Sequence, residues 1–347
     1  MRLSVVTLVA SFALWSSGFC AEQAQGPAQS AAPGKAPRRS VSATVAKLPS
    51  GPPPTLANVP YGADPRQVLD LWKAESTGPA PLLFFIHGGG WQGGDKKTVY
   101  ASGLTNFLSA GISVVSVEYR FVAQAHASGV KPPVEWPLHD AARALQFVRS
   151  KAAEWNIDKS RIAASGGSAG ACSSLWLAFH DDMADPNSGD PVARESTRLT
   201  CAGVLGAQTS LDPRQMKEWT PNSKYGAHAF GIFRQVNGKD VADFAQFLAE
   251  RERILPWIKE YSPYELVSAD DPPVYLYYSA PPALGQDQKD PTHTANFGVK
   301  LQEKLRSVGV ECVLAYPGAP DLGGDASTDP LMTKNHMYRF LIAKLKG

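Results

Sequence analysis

Short apolar runs alternate with helically spaced apolar positions through most of this chain. The runs at 82–86, 112–117, 161–165, 201–207, 274–278 and 310–316 are rich in β-branched or aromatic residues and are bounded by Gly, Pro or Asp. Near-continuous runs of that length predict strands buried on both faces. Between them Leu138, Ala142, Leu145, Val148 and Ala152 recur at helical spacing, as do Phe297, Leu301, Leu305 and Val308, and a last helical pattern covers about 331–345. Strand and helix in alternation predict a doubly wound, mostly parallel sheet with helices on both faces over residues 57–347. One stretch, 209–271, is longer than a crossover requires and carries Trp219, Tyr225, Phe230, Phe233, Trp257, Tyr261 and Tyr264. It is an insertion between late strands, serving either as a lid over a site or as a helical excursion whose aromatics pack the core.

The chain's start departs from this pattern. Residues 1–21 contain Arg2, an apolar run over 3–15 and small residues around the end, the layout of a secretory signal peptide. Lipidation on Cys20 is the rival outcome, disfavoured by the bulk of Phe19 just before it. Residues 22–56, rich in Ala, Pro, Gly, Ser and Gln, read as a flexible linker. The expected location is secreted or periplasmic, with no integral membrane segment after processing.

Composition excludes more than it identifies. With 347 residues, 44% hydrophobic and 19% charged, the chain can bury a large core, and a net charge of +2 without a Lys/Arg stripe leaves no footprint for nucleic acid. Cys172, Cys201 and Cys312 fall in apolar elements and read as buried small hydrophobes, with a single Cys172–Cys201 bridge left open. His180, Asp181, Asp182, Asp185, Asn187 and Asp190 gather hard oxygen ligands, but their spacing is not that of a calcium loop, and a solvated turn is the plainer reading. No metal or cofactor is called for.

The chemistry concentrates in two glycine-rich motifs. Gly166-Gly167-Ser168-Ala169-Gly170 follows a predicted strand and precedes an apolar helix. A nucleophile elbow needs that context: a turn too tight for flanking side chains, with the serine held above the sheet at a helix N-terminus. His87-Gly88-Gly89-Gly90-Trp91 follows another predicted strand, and its bare glycines let backbone N–H groups approach a reacting carbonyl. Gly88, Gly89 and Ala169 are the candidate oxyanion donors, and His87 is expected to brace their loop.

These motifs, together with SVEYR at 116–120, HDAARALQFVR at 139–149 and NIDKSRIAASGGSAG at 156–170, resemble the hormone-sensitive-lipase-like and feruloyl-esterase-like branch of the α/β-hydrolase family. The resemblance implies the α/β-hydrolase fold, cleavage of small-molecule or glycan-linked carboxylic esters, and a triad ordered Ser, Asp, His. It points to Asp290, with Asp287 close by, as the acid, and to an architectural role for Glu118. It also exposes a departure: the family's histidine follows the last strand, whereas this chain reads Tyr316-Pro317-Gly318-Ala319-Pro320-Asp321. Two histidines remain for the base. His293, in the loop expected to carry the acid, is preferred over His336, which lies within the last helical pattern. The departure also leaves open a scaffold that binds esters, glycans or a partner without turning them over.

Overall fold

The computed structural model describes residues 51–320 and 330–347. The signal peptide expected over 1–21 and most of the linker expected over 22–56 lie outside the described residues. Close to the linker's expected end, Pro52 O already accepts the Trp72 indole N–H at 2.8 Å, and Leu56 opens the first strand.

Ten strands are present among the described residues: β1 (Leu56–Pro60), β2 (Val68–Trp72), β3 (Ala80–Ile86), β4 (Ser113–Val117), β5 (Ile157–Gly167), β6 (Cys201–Leu205), β7 (Phe233–Val236), β8 (Lys239–Ala242), β9 (Val274–Tyr277) and β10 (Cys312–Ala315). Eight of them form one sheet in the order β1-β2-β4-β3-β5-β6-β9-β10. The six from β4 to β10 run parallel, and β2 joins antiparallel to β4 with β1 antiparallel beyond it. Every residue of β3 and β4 is buried, as strands covered on both faces must be. All six runs read from the sequence are strands; β1 and β2 were not foreseen, being a short edge pair with polar residues among the apolar ones.

The helices are α1 (Leu104–Ser109), α2 (Val122–Ala127), α3 (Glu135–Ser150), α4 (Ala152–Trp155), α5 (Ala169–Phe179), α6 (Pro213–Trp219), α7 (Phe244–Ala249), α8 (Leu255–Tyr261), α9 (Pro263–Leu266), α10 (Asn296–Ser307) and α11 (Pro330–Lys346). They divide the core in two. Leu138, Leu145 and Val148 of α3, Leu175 and Trp176 of α5 and Leu301 of α10 fill one face of the sheet, while Phe107 of α1 and Met337 and Leu341 of α11 fill the other. Each such side chain contributes about 1.5–3 kcal/mol on burial. All eleven residues of α5 are buried, so the helix behind the elbow has no polar face. Among the described residues no helix is long and apolar enough to cross a membrane.

Residues 209–271 form α6 to α9 and a hairpin of β7 and β8, closed by Asn237 and Gly238, both at positive φ as a tight two-residue hairpin turn requires. Trp219, Phe230 and Tyr261 join the main core, and Trp219 stands edge-on to Phe297 of α10 at 6.0 Å. Packing therefore accounts for these three, whereas Tyr225, Phe233 and Trp257 are only half-buried. The Cys172–Cys201 bridge left open above is not formed: Cys172, Cys201 and Cys312 are free, and Cys172 and Cys201 sit in the cores on opposite faces of the sheet. In the acidic segment, Asp182, Asp185 and Asp190 accept backbone N–H groups of their own turns, and Asp190 also pairs with Arg143.

Candidate active site

The register of the parallel strands brings the two glycine motifs together. Ile86, the last residue of β3, pairs with Gly166 near the end of β5, Gly167 pairs with Leu205 at the end of β6, and Leu205 pairs with Tyr277 of β9. Four neighbouring strands thus end at one edge, where connecting loops can meet.

Ser168 sits there at φ 54° and ψ −122°, a conformation disfavoured for a residue bearing a Cβ. Its amide donates to Leu205 O at 2.9 Å and its carbonyl accepts Cys172 N at 2.9 Å, so the turn is held on both sides. The flanking glycines are needed for space. A Cβ on Gly170 would lie 2.1 Å from Ile86 O, and one on Gly166 2.4 Å from the same atom.

The Gly88 loop closes over the elbow. A Cβ on Gly88 would stand 3.4 Å from the Ser168 Cβ, which places that stretch of backbone against the serine. Gly89, at φ 111°, lets the chain turn back so that Gln92 N and Gly93 N reach Gly89 O at 3.0 and 3.2 Å. Ala169 opens α5, where the first N–H groups have no intrahelical partner and the helix dipole is positive.

A buried charge network fixes this loop from below. His87 stacks on Tyr119 at 4.3 Å, its Nδ1 hydrogen-bonds Gly88 O at 2.7 Å, and the Tyr119 hydroxyl donates to His87 O at 2.8 Å. Glu118 lies 3.3 Å from His87 Nε2, accepts the Lys96 amide at 2.8 Å and pairs with Arg66. Burial pulls the Glu118 carboxyl up, but these donors outweigh it and hold it below its ordinary value. From the insertion, His228 packs behind Gly90, its Nε2 3.8 Å from where a Gly90 Cβ would be, and burial lowers its pKa to about 4.

The remaining partners come from the loop between β9 and α10. His293 Nε2 is 2.9 Å from Ser168 Oγ, and His293 Nδ1 is 2.8 Å from Asp290 Oδ2. A carboxylate can only accept, so the imidazole proton sits on Nδ1 and Nε2 is left to accept the serine hydroxyl. Asp290 Oδ1 also accepts the amides of Thr292 and His293, both at 3.2 Å. Burial is the largest single influence on the Asp290 carboxyl and raises it, but the bonds and charge of His293 and these amides together outweigh burial and hold it below its ordinary value. Both side chains are open to solvent, His293 at 38% and Asp290 at 61% exposure.

The structure thus brings together Ser168, Asp290, His293, Gly88, Gly89 and Ala169. Asp287 is exposed and its backbone oxygen accepts Gln288 Nε2. His336 lies on α11, beside Met337 of the core on the far face. Sequence reasoning missed the polar run Gln208-Thr209-Ser210 after β6, all three buried. A polar run directly behind a buried strand was the available signal. Among the described residues no group of three or more His, Cys, Asp or Glu side chains is arranged to hold a metal ion.

A doubly wound sheet with a serine on a strained turn at its parallel edge, met by an imidazole and a carboxylate, is the α/β-hydrolase fold. A family model described as BD-FAE matches residues 69–281, and the chain belongs to that family. Esterase LipC of Mycobacterium tuberculosis is 34% identical over 291 residues, 78% of this chain and 61% of that protein. Esterase LipQ of the same organism is 24% identical over 278 residues, 76% of this chain and 56% of its own length. The chain spans about six-tenths of the length of these relatives. Among solved structures, a truncated carbohydrate esterase from gut microbiota superposes with a TM-score of 0.60 at 18% identity, covering 84% of this chain and 96% of its own. An acetyl ester-xyloside bifunctional hydrolase from Caldicellulosiruptor lactoaceticus gives 0.55 at 23% identity, covering 79% and 87%. At these identities the superpositions show the fold.

Proposed function

We propose that this protein is a serine esterase that cleaves carboxylic esters through an acyl-enzyme on Ser168, working outside the cytoplasm as the apolar leader of the sequence suggests. The observation that carries the reading is the unbroken relay from Ser168 Oγ to His293 to Asp290, set against the Gly88 backbone and the N-terminus of α5. In the first step Ser168 Oγ bonds to the ester carbonyl carbon while its proton passes to His293 Nε2. The oxygen becomes an anion facing the N–H groups of Gly88, Gly89 and Ala169, where each donor is typically worth about 3 kcal/mol. Collapse of the adduct expels the alcohol, which takes the proton from Nε2. Water then attacks the acyl-serine with the same imidazole as base, releasing the acid and restoring the hydroxyl.

A cleft of about 460 Å³ beside the elbow, lined by Phe85, Gly88, Gly89, Ala101, Gly167 and Leu205 among others, lies within the usual range of small-molecule sites. Its walls include Gly88 and Gly89 of the loop facing the serine, which makes it the candidate space for part of the ester. The named activities of LipC, LipQ, the superposed carbohydrate esterase and the acetyl ester-xyloside hydrolase support ester cleavage, and an acylated sugar fits the exposed setting of His293 and Asp290.

The test combines fluorophosphonate labelling with p-nitrophenyl ester turnover. Wild type should label and hydrolyse, and Ser168→Ala and His293→Ala should each lower kcat on the order of 10⁴-fold or more, while His336→Ala changes it little. A wild type that neither labels nor hydrolyses would sink the reading in favour of a binding protein. That alternative rested on the missing histidine after Gly318, and an imidazole 2.9 Å from the serine supports turnover over it.

A further inference from the structure

The hydrogen bonds between Asp290 and His293 are local to one loop. They orient the imidazole relative to its own backbone, but they cannot set how far that backbone stands from Ser168. Something must join the loop to the sheet. The bond from Ser168 Oγ itself cannot serve, since that hydroxyl has to leave it during reaction.

Residues 205–209, directly after the buried run of β6, make the join. Leu205 O accepts the Ser168 amide at 2.9 Å. Gly206, at φ 57°, passes beneath the imidazole, where a Cβ would stand 3.3 Å from His293 Cβ and 3.4 Å from its Cδ2. Gln208, with 0% exposure, donates from Nε2 to Thr292 O at 2.8 Å and to Gly206 O at 3.1 Å. Thr292 immediately precedes His293. The segment itself is pinned on three further sides: Gly206 N donates to Tyr277 O, the Tyr278 hydroxyl to Ala207 O, and Thr209 Oγ1 to Phe297 O, all at 2.8 Å. Within five residues the chain therefore touches the nucleophile, β9, the base's loop and α10.

Gln208 also carries a cost. Its Oε1 is buried with no hydrogen-bond partner among the described residues, so an apolar side chain of similar shape would avoid an orphaned acceptor. Such a replacement would lose the two bonds that the amide donates, and with the bond to Thr292 O the tie between β6 and the loop that carries His293.

We propose that Gln208 is a positioning residue that, with Gly206, holds His293 at proton-transfer distance from Ser168. The proposal rests on the esterase reading for its kinetic consequence but not for its structural one. In this chain the base shares a loop with the acid instead of following the last strand, and the segment after β6 supplies the anchor that this placement lacks.

The experiment uses the full chain. Gln208→Met should keep the fold, lower kcat on p-nitrophenyl acetate by about 10- to 100-fold, as expected for a misplacement near 1 Å, and leave KM within about threefold. In a His293→Ala background the same substitution should cost nothing further, because there is no imidazole left to position. The downfield Nδ1 proton resonance of His293, assigned by its loss in His293→Ala and read in Ser168→Ala protein, should shift or broaden with Gln208→Met. If Gln208→Met does not fold, Gly206→Ala displaces the same imidazole directly, through a methyl 3.3 Å from His293 Cβ, and should likewise lower kcat and move the resonance.

Full kcat with an unmoved resonance overturns the proposal. So does an equal loss in the His293→Ala background, which would mark Gln208 as merely structural. A wild type inert toward esters whose resonance still responds to Gln208→Met would sink the esterase reading while leaving the positioning role standing.

Discussion

The two halves of the candidate site are built differently. The Ser168 turn and its facing loop are made of backbone: Ser168, Gly88, Gly89 and Ala169 sit where β3 and β5 end side by side, and a Cβ at Gly166 or Gly170 would collide with carbonyls. The carboxylate and imidazole are side chains on a solvent-open loop, held by Asp290 accepting three hydrogen bonds and by Gln208 reaching across from β6. The first half cannot deform without disturbing the sheet. The second can move without unfolding anything, so its geometry has to be imposed by specific contacts.

That contrast can be broken at its stiffest point. Gly170→Ala places a methyl 2.1 Å from Ile86 O and 2.7 Å from His87 O, both backbone atoms that cannot rotate away. It should cost about 3 kcal/mol or more in a urea titration and abolish labelling. A variant with an unchanged midpoint and full labelling would mean that the elbow is not as rigid as its packing implies.

The exposed half should answer with rate and not with stability. Asp290→Asn keeps an Oδ1 to accept the loop amides but turns an NH₂ toward His293 Nδ1, which favours the wrong tautomer. Because Asp290 is largely in water, the expected loss in kcat is about 100-fold, less than the ≈ 10⁴ typical of a buried acid, with an unchanged urea midpoint. Loss of the fold in this variant would erase the distinction between the halves.

Acid should loosen the buried half first. His228, packed behind Gly90, is held neutral by burial, its pKa lowered from the ordinary 6.5 to about 4. The unfolded chain therefore binds more protons between these values, and the stability His228 contributes is fully present above pH 6.5 and lost as pH falls toward 4. By pH 5 the loss should be about 2 kcal/mol, read as the difference between wild type and His228→Phe. The difference matters because Asp271, pushed up to about 6 by burial, works in the opposite sense in the same range. Parallel pH curves for the two proteins would contradict the buried-neutral state of His228.

Much of this was legible in the sequence. Six apolar runs marked six of the strands, and the glycines around Ser168 and after His87 pointed to close backbone approach over the rival reading of two unrelated turns. The edge strands β1 and β2 were missed because their alternation is interrupted by Asn58 and Asp70, and Asp70 is there to accept the Asn58 amide and to pair with the buried Lys96. Over the insertion, the packing role of rings such as Trp219 against Phe297 is a contact between residues distant in the chain, which the sequence could not show. Gln208 opens a polar run behind β6, a signal that marks the segment but does not say what the amide does until it is found on Thr292 O.

By itself, the sequence determined what the backbone must do, because a glycine or an uninterrupted apolar run constrains φ, ψ and burial wherever it occurs. It named the serine, the glycine loop that faces it and the sheet beneath them. Tertiary structure alone decided which imidazole reaches that serine, because the distance from Ser168 to His293 is set by β6, β9 and α10 packing together. No residue records that distance in its neighbours along the chain.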